Sequence, residues 1–184
     1  MNSSRPSCSV FIAVSLDGFI ARTDGSIDWL EAQNRRVPEG QDCGYGAFIS
    51  GIDALVMGRR SFETVLNFAS WPYGELPVTV MSRSGIGIPD HLNHTVATSS
   101  ATPAQLVDDL YARGLRNLYI DGGETIRSFL EACLIDDLTI TTIPVLLGSG
   151  RPLFGPATRD IPLTMVSSRG WDWGFVQTRY RIDR

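Results

Sequence analysis

The sequence contains no lysine, and all 16 of its basic side chains are arginines, against 20 acidic side chains. Without a side-chain amine the protein cannot carry pyridoxal phosphate on a Schiff base or use a phosphate-loop lysine. Histidine is scarce as well, with only His91 and His94, so we expect no metal centre. The net charge of −4 lacks the basic excess of a general nucleic-acid-binding protein, and we expect no nucleic-acid partner.

Cysteines and long apolar runs are also few. Cys8, Cys43 and Cys133 are odd in number, far apart and without a C-x-x-C pair, which is typical of a reduced intracellular protein rather than a disulfide framework. The apolar run near the N terminus, residues 10–14, is too short for the core of a signal peptide. No segment looks able to span a membrane. These features predict a cytoplasmic protein with no membrane association.

The length of 184 residues suits one domain. A hydrophobic fraction of 43% and a charged fraction of 20% are those of an ordinary folded protein. We therefore predict a single domain over residues 1–184, in which the polar residues 1–7 are frayed.

Predicted strands and helices alternate over most of the chain. Apolar runs predict strands at residues 8–15, 54–57, 77–81, 95–97, 118–120 and 137–144. Helices are predicted at residues 28–33, 42–50, 61–66, 103–113 and 124–132. Gly-rich stretches at residues 16–27 and 148–156 are predicted as loops, and residues 163–168 and 174–182 as an antiparallel pair. This order predicts an α/β fold with a mixed, mostly parallel sheet and a C-terminal antiparallel hairpin.

Two turns combine a buried strand, a glycine and the start of a helix. The first is Gly58 followed by Arg59, Arg60 and Ser61, and the second is Gly122-Gly123 followed by Glu124 and Thr125. Glycine lets a ligand approach the backbone, and the free N–H groups of a helix start favour an anion. Two such turns could hold a pyrophosphate. Alternatively, the glycines only turn the chain.

A third segment, Ser82-Arg83-Ser84, follows the predicted strand at residues 77–81. Sites that select NAD usually place an acidic residue after such a strand, whereas sites that select NADP place arginine and hydroxyl groups there for the 2′-phosphate. The arginine fork can donate two parallel hydrogen bonds to a phosphate. The segment therefore favours NADP, although a solvated turn explains it equally well.

Five segments together resemble the dihydrofolate reductase superfamily. They are residues 11–21 (FIAVSLDGFIA), 56–65 (VMGRRSFETV), 78–84 (VTVMSRS), 118–130 (LYIDGGETIRSFL) and 143–154 (IPVLLGSGRPLF). They follow the order of that superfamily and cover nearly the whole chain. The most similar group includes the C-terminal reductase domain of bacterial riboflavin biosynthesis. The resemblance implies a three-layer sandwich like that of dihydrofolate reductase.

The resemblance also implies an NADPH site and assigns its residues. Gly58, Arg59, Arg60 and Ser61 would bind the pyrophosphate and the adenosine ribose, and Ser82, Arg83 and Ser84 the 2′-phosphate side. Gly122, Gly123, Glu124 and Thr125 would wrap the pyrophosphate from the second helix. Ala13 and Ile20 would pack near the nicotinamide. Asp17 lies in the loop that leaves the first strand at the nicotinamide and is a candidate catalytic residue, with an Asp-Gly turn as the alternative.

Asp42 is a candidate for the residue that donates a proton to the substrate. Folate reductases carry one acid on the helix before the M-G-R segment, and Asp42 begins the predicted helix at that position. A carboxyl group in a half-apolar pocket can have a raised pKa and act as an acid. Asp42 is therefore a candidate catalytic residue. The alternative is that Asp42 only caps its helix.

The resemblance implies NADPH-dependent hydride transfer to a small heterocyclic substrate such as a pyrimidine or pterin. The riboflavin reductases carry an acidic D-D-P segment after the second strand, whereas residues 66–73 here (LNFASWPY) contain no acid. This difference argues against their phosphoribosyl-pyrimidine substrate. A protein that binds NADP as a sensor or scaffold without turnover is the alternative function.

An apolar edge predicts self-association. The last predicted strand and the aromatic turn of residues 171–173 would leave an uncovered apolar edge in a small domain. Together with the resemblance to the riboflavin-type group, in which homodimers are common, this edge predicts a homodimer.

Overall fold

The computed structural model describes residues 5–156 and 159–183. In these ranges the strands are β1 (Ser7–Ser15), β2 (Phe19–Ala21), β3 (Ala54–Gly58), β4 (Val78–Met81), β5 (Val96–Ser99), β6 (Asn117–Asp121), β7 (Asp137–Ile143), β8 (Arg151–Pro152), β9 (Leu163–Gly170) and β10 (Val176–Ile182). The helices are α1 (Asp28–Asn34), α2 (Tyr45–Ile49), α3 (Arg59–Val65), α4 (Pro103–Ala112) and α5 (Gly123–Glu131), with a short 3-10 helix at Asp90–Leu92.

Eight of these strands form one sheet in the order β5-β4-β3-β6-β1-β7-β10-β9. The first six are mutually parallel. The hairpin of β9 and β10 then joins antiparallel to β7. This arrangement confirms the predicted α/β fold with a mostly parallel sheet and a C-terminal antiparallel hairpin.

Helices cover both faces of the parallel strands. On the first face Val56 and Ile120 pack with Leu110 of α4 and Phe129 of α5. On the opposite face, called the second face below, the intervening strand residues pack against α1, α2 and α3; Met57, for example, lies in one cluster with Phe62. Successive side chains of a strand point to opposite faces, so runs of buried residues such as those of β3 supply both cores. The result is three layers.

The parallel strands end together at one edge of the sheet, called the carboxyl edge below. Gly58 closes β3, Met81 closes β4, Asp121 closes β6, and Ser15 closes β1. Ligands of open parallel sheets bind outside such an edge. All the segments predicted to bind the cofactor follow one of these strand ends.

Two stretches predicted as loops each contain a short strand. β2 lies within residues 16–27 and β8 within residues 148–156, and the two pair antiparallel. Gly150 permits this pairing, because a Cβ atom at that position would overlap the carbonyl oxygen of Ala21. The prediction was wrong here because a strand of two or three residues carries no periodic signal, and only the partner segment defines it.

The ordered part of the chain begins closer to the N terminus than predicted. Residues 1–4 lie outside the described part, but Ser7 already begins β1, and Arg5 pairs with Asp136 at 2.9 Å. That ion pair joins the start of the chain to the segment before β7. Residues 5–7 are therefore held in place, contrary to the predicted fraying.

The described residues include no helix with the length and hydrophobicity needed to cross a bilayer. They also include no group of three or more His, Cys, Asp or Glu side chains that could hold a metal ion.

Candidate active site

The two glycine turns lie against each other at the carboxyl edge. A Cβ atom on Gly58 would stand 2.9 Å from Thr125 Oγ1, and one on Gly122 would overlap Ser61 Oγ. Gly122 has φ +85°, a conformation that glycine adopts readily and other residues rarely do. The structure thus brings Gly58, Ser61, Gly122 and Thr125 together. The two glycines let the turns pack this closely beside the first turn of α5, whose N–H groups favour an anion.

The third predicted segment joins this group through Arg59. Arg59 donates from Nη1 to Ser84 Oγ at 3.1 Å, and its Nε pairs with Glu63 at 2.6 Å. Within the segment, Ser82 Oγ donates to the carbonyl oxygen of Ser84. Arg83 is exposed beside them. The segments after β3 and after β4 therefore form one continuous surface with arginine and hydroxyl groups.

An ion pair connects the two helix starts. Arg60 Nη1 lies 2.7 Å from Glu124 Oε1, and both side chains are about two-thirds exposed. Exposed pairs of this kind contribute little to stability. A phosphate at this position would compete with Glu124 for Arg60.

Ala13 and Ile20 lie at the two sides of the β1 end. Ala13 belongs to the apolar group that includes Trp29 and Ile143. Ile20 reaches α5, since a Cβ atom on Gly123 would stand 2.9 Å from its Cδ1 atom. Ile20 is thus beside the second glycine turn, whereas Ala13 packs with the apolar group around Trp29.

The Asp17 carboxylate is fully engaged in joining two loops. It accepts hydrogen bonds from Ser15 Oγ at 2.6 Å and from the backbone N–H groups of Leu147 and Gly148 at 3.1 and 2.7 Å. The Ser15 hydroxyl, followed by the two amides, lowers the pKa of Asp17. An ionised, exposed carboxylate with these partners is a poor proton donor. The geometry favours a role in positioning the loop after β7.

The Asp42 carboxylate holds the start of α2. It accepts from the N–H of Gly46 at 2.7 Å and from that of Gly44 at 2.8 Å. These two bonds lower the pKa of Asp42, and the residue is exposed. The helix begins at Tyr45, three residues later than predicted. This geometry favours the helix-capping interpretation of Asp42 over the proton donor.

Asp121 is an acid at the carboxyl edge that the sequence interpretation missed. It ends β6 immediately before the Gly122-Gly123 turn. Burial raises the pKa of its carboxyl group, although the N–H of Gly122 opposes the rise. Like Tyr119, two residues earlier, its side chain lies on the second face. Tyr119 Oη donates to the carbonyl oxygen of Phe11 at 2.8 Å and lies 3.4 Å from Asp121 Oδ1.

Two further tyrosines lie near this carboxyl group. Burial, followed by the charge of Asp121, raises the pKa of Tyr45 to about 12 and raises that of Tyr73 well above its usual range. Asp121 and the phenols of Tyr45, Tyr73 and Tyr119 form a group that we call the acid–phenol cluster.

Aromatic rings surround the acid–phenol cluster. Phe48 lies 5.0 Å from the ring of Tyr119 and 5.0 Å from that of Phe11, and Trp71 lies 5.1 Å from Tyr73 in an edge-to-face contact. Trp71 comes from the segment in which the riboflavin reductases carry their acidic residues. In this chain the segment instead contributes aromatic side chains beside the acid–phenol cluster.

One signal in the sequence could have identified Asp121. It is the only carboxyl group in the segment LYIDGG, and it directly precedes the glycine pair at the end of a buried strand. Ligands of open parallel sheets bind outside the carboxyl ends of the strands, so an acid at a strand end is a candidate site residue.

Known proteins resemble this chain over nearly its whole length. A protein from Shewanella sp. PV-4 that is assigned provisionally to riboflavin biosynthesis has a solved structure with a TM-score of 0.89 and 39% identity, over 97% of this chain and 99% of that one. The uncharacterised Bacillus subtilis protein YwjB is 35% identical over 164 residues, which cover 87% of this chain and 89% of that protein.

A more distant structure shows the same fold. It is that of dihydrofolate reductase from Enterococcus faecalis, solved in complex with NADP(H), with a TM-score of 0.64 at 15% identity over 97% of each chain. The model of the RibD C-terminal domain matches residues 6–176. The chain therefore belongs to the RibD C-terminal domain family.

Proposed function

We propose that the protein is an NADPH-dependent reductase of a small heterocyclic substrate. The supporting observation is that a predicted cofactor site and a candidate proton donor lie side by side at the carboxyl edge. The glycine turns and arginines expected to bind the cofactor lie there, and a half-buried acid with a raised pKa ends the strand that leads into one of those turns. A reductase needs both parts side by side.

The residues present fit NADPH. Gly58 and Gly122 let the two turns meet, with the hydroxyl groups of Ser61 and Thr125, at the start of α5, and the N–H groups of a helix start suit a pyrophosphate. Arg59, Ser84 and the exposed Arg83 form the neighbouring surface, which suits a 2′-phosphate. When bound, the reduced nicotinamide supplies a hydride. The solved dihydrofolate reductase complex with NADP(H) has the same fold, which supports this assignment.

Asp121 is the residue that the geometry favours as the proton donor. Reduction of a C=N or C=O bond adds a hydride to carbon and a proton to the nitrogen or oxygen. Burial raises the pKa of Asp121, so its carboxyl group holds a proton at higher pH than an exposed aspartate does. Asp17 and Asp42, in contrast, are held in their ionised forms by N–H and O–H donors.

Two measurements test the proposal. Titration of the protein with NADPH, followed by nicotinamide fluorescence, should show saturable binding. Loss of NADPH absorbance should then occur with at least one compound from a panel of pyrimidines and pterins. Binding without turnover on any of them would favour the NADP-binding sensor or scaffold instead. Failure to bind NADPH would refute both functions.

A further inference from the structure

A cavity of about 240 Å³ lies at the opposite end of α5 from the glycine turns. The end of α5, the segment that leads into β7, the segment before β9 and the end of β10 bound this cavity. Because α5 has nine residues, its two ends lie about 13 Å apart at a rise of about 1.5 Å per residue. The cavity is therefore separate from the surface proposed to hold the cofactor.

Most of the cavity lining is apolar. Leu130 and Ile135 are 8% and 1% exposed and belong to the core of the first face, and Ile161 and Ile182 pack against that core. Pro162 completes the apolar wall. Since an apolar cavity of about 150 Å³ can hold benzene, this one has room for a short branched chain. Such a lining favours a ligand with a hydrocarbon part, which leaves water on binding.

One cation in the lining has no carboxylate partner. Arg159 is exposed, and its Nη2 atom lies 2.8 Å from Cys133 Sγ. Within the described residues, Arg159 forms no ion pair. A thiol sulfur is a weak acceptor, whereas a guanidinium carries five N–H donors in a planar fork that matches a carboxylate. Arg159 therefore has donors available for an anionic ligand.

The acid in the lining already has partners. Asp183 accepts from the hydroxyl group of Thr164 at 2.9 Å and lies 3.8 Å from Arg181 Nη2. An ammonium group on the ligand would compete with these partners of Asp183. A carboxylate on the ligand would instead meet Arg159, which pairs with no described acid. The charges therefore favour a simple carboxylate over a zwitterion.

We propose that this cavity binds a small apolar carboxylate. The ligand carboxylate accepts hydrogen bonds from Arg159, and its hydrocarbon part packs against Leu130, Ile135 and Ile161. One molecule of this class satisfies the guanidinium and also removes its own apolar surface from water. The inference is independent of the proposed reductase function, because the two sites lie at opposite ends of α5.

Calorimetric titration of the full chain with 4-methylpentanoate tests the proposal, and three related compounds separate its parts. The amide of this acid has the same shape without the charge, acetate lacks the branched chain, and leucine adds an ammonium group. We expect the acid to bind at least about tenfold more tightly than its amide, because hydrogen bonds between charged groups are stronger than neutral ones. Acetate and leucine should both bind more weakly than 4-methylpentanoate.

Variants and alkylation assign the binding to the cavity. Arg159→Gln should weaken 4-methylpentanoate by about tenfold or more and leave the affinity for the amide unchanged. Arg113→Gln, at an exposed arginine that follows α4, is the matched control and should change neither affinity. Saturating 4-methylpentanoate should also slow the alkylation of Cys133 by iodoacetamide, because the ligand covers the thiol beside Arg159. Mass spectrometry measures this protection, with the half-buried Cys43 as the internal reference.

Any of four results in the titrations would overturn the proposal. They are no binding of 4-methylpentanoate, equal binding of the acid and its amide, tighter binding of leucine, and unchanged affinity in Arg159→Gln. Binding that leaves the alkylation rate of Cys133 unchanged would place the ligand outside this cavity and would also overturn the proposal.

Discussion

Three aspartates near the carboxyl edge differ because their surroundings differ. Asp17 and Asp42 accept hydrogen bonds from N–H and O–H donors and have lowered pKa values. Asp121 is half-buried among aromatic side chains, and burial raises its pKa. The same side chain therefore serves as a fixed hydrogen-bond acceptor in two places and is suited to hold a transferable proton in the third.

Replacement of Asp121 should abolish most turnover. Asp121→Asn keeps the shape of the side chain but cannot deliver a proton, and the loss of a general acid costs about 10²- to 10⁴-fold in rate. Asp42→Asn is the informative comparison, because an amide oxygen can still cap α2, and we expect near-native rates. NADPH consumption at saturating substrate measures both variants. A large loss of turnover in Asp42→Asn with near-native turnover in Asp121→Asn would instead identify Asp42 as the proton donor.

The reaction should also depend on pH in a defined direction. A proton donor works in its protonated form, so turnover by the native protein should fall as pH rises through the pKa of Asp121. Because burial raises that pKa, the fall should come at higher pH than for an exposed aspartate. A pH–rate profile checks this. The residual turnover of Asp121→Asn should not show this fall with rising pH. If the variant still shows it, a group other than Asp121 causes the pH dependence.

Arg83 should decide the choice between NADP and NAD. It is exposed next to Ser84, which Arg59 contacts, and can donate two hydrogen bonds to a 2′-phosphate. We expect NADPH to bind more tightly than NADH. Arg83→Ala should remove most of that preference, about 1.5–3 kcal/mol for a charged contact. Fluorescence titrations with NADPH and NADH measure the two affinities. Equal affinities in the native protein would contradict the assignment of Arg83 to the 2′-phosphate.

At the scale of elements, the site depends on two strand–turn–helix units that touch through glycines. The β6–α5 turn approaches the β3–α3 turn so closely that Ser61 Oγ occupies the space of a Gly122 side chain. The β2–β8 pair and the hydrogen bonds of Asp17 to residues 147 and 148 then close the neighbouring side. Helix and loop ends, rather than strand interiors, therefore form the site.

Gly122→Ala should damage both stability and cofactor binding. The new methyl group would meet Ser61, and alanine is disfavoured at φ +85°, which together cost about 1–3 kcal/mol. Gly87→Ala is the matched control, since nothing lies within 4 Å of a Cβ atom there. Urea unfolding and NADPH titration give the two readouts. Native behaviour of Gly122→Ala would show that the turns are not packed together.

At the scale of the whole molecule, the hairpin extends the sheet beyond its covering helices. All eight residues of β9 are exposed. The exposed side chains include Met165 at 61%, Val166 at 53%, Val176 at 45% and Leu163 at 41%. Apolar groups along an edge hairpin favour association with a further chain. We therefore propose that this surface forms a homodimer.

Sedimentation tests the dimer. At micromolar concentration we expect a species of twice the 20.2 kDa chain mass. Met165→Glu should convert it to the monomer, because a charge would be buried without a partner. Leu66→Glu is the matched control: Leu66 is 36% exposed and directly follows α3, which packs on β3 and β4 rather than on the hairpin. A native protein that sediments only as a monomer would refute the proposal.

The order of elements could be predicted from the sequence because their signals are local. Thr102 and Pro103 predict the start of α4, and the structure shows Thr102 accepting from the N–H of Gln105 in a capping box. The buried runs of β3 and β6 and the glycines after them are equally local. They predicted two turns that could hold a pyrophosphate, and the structure places Gly58 and Gly122 at the same edge because parallel strands end together.

The tertiary structure alone decided what each carboxyl group can do. Asp17, Asp42 and Asp121 are chemically identical in the sequence. Hydrogen bonds from Ser15 and from the N–H groups of residues 147 and 148 lower the pKa of Asp17, and N–H groups at the start of α2 lower that of Asp42. Burial by packing between segments distant along the chain raises the pKa of Asp121. The pairing of β2 with β8 was decided in the same way. Composition and local pattern determine elements, whereas burial and hydrogen-bond partners, which set the chemistry, exist only once distant segments meet.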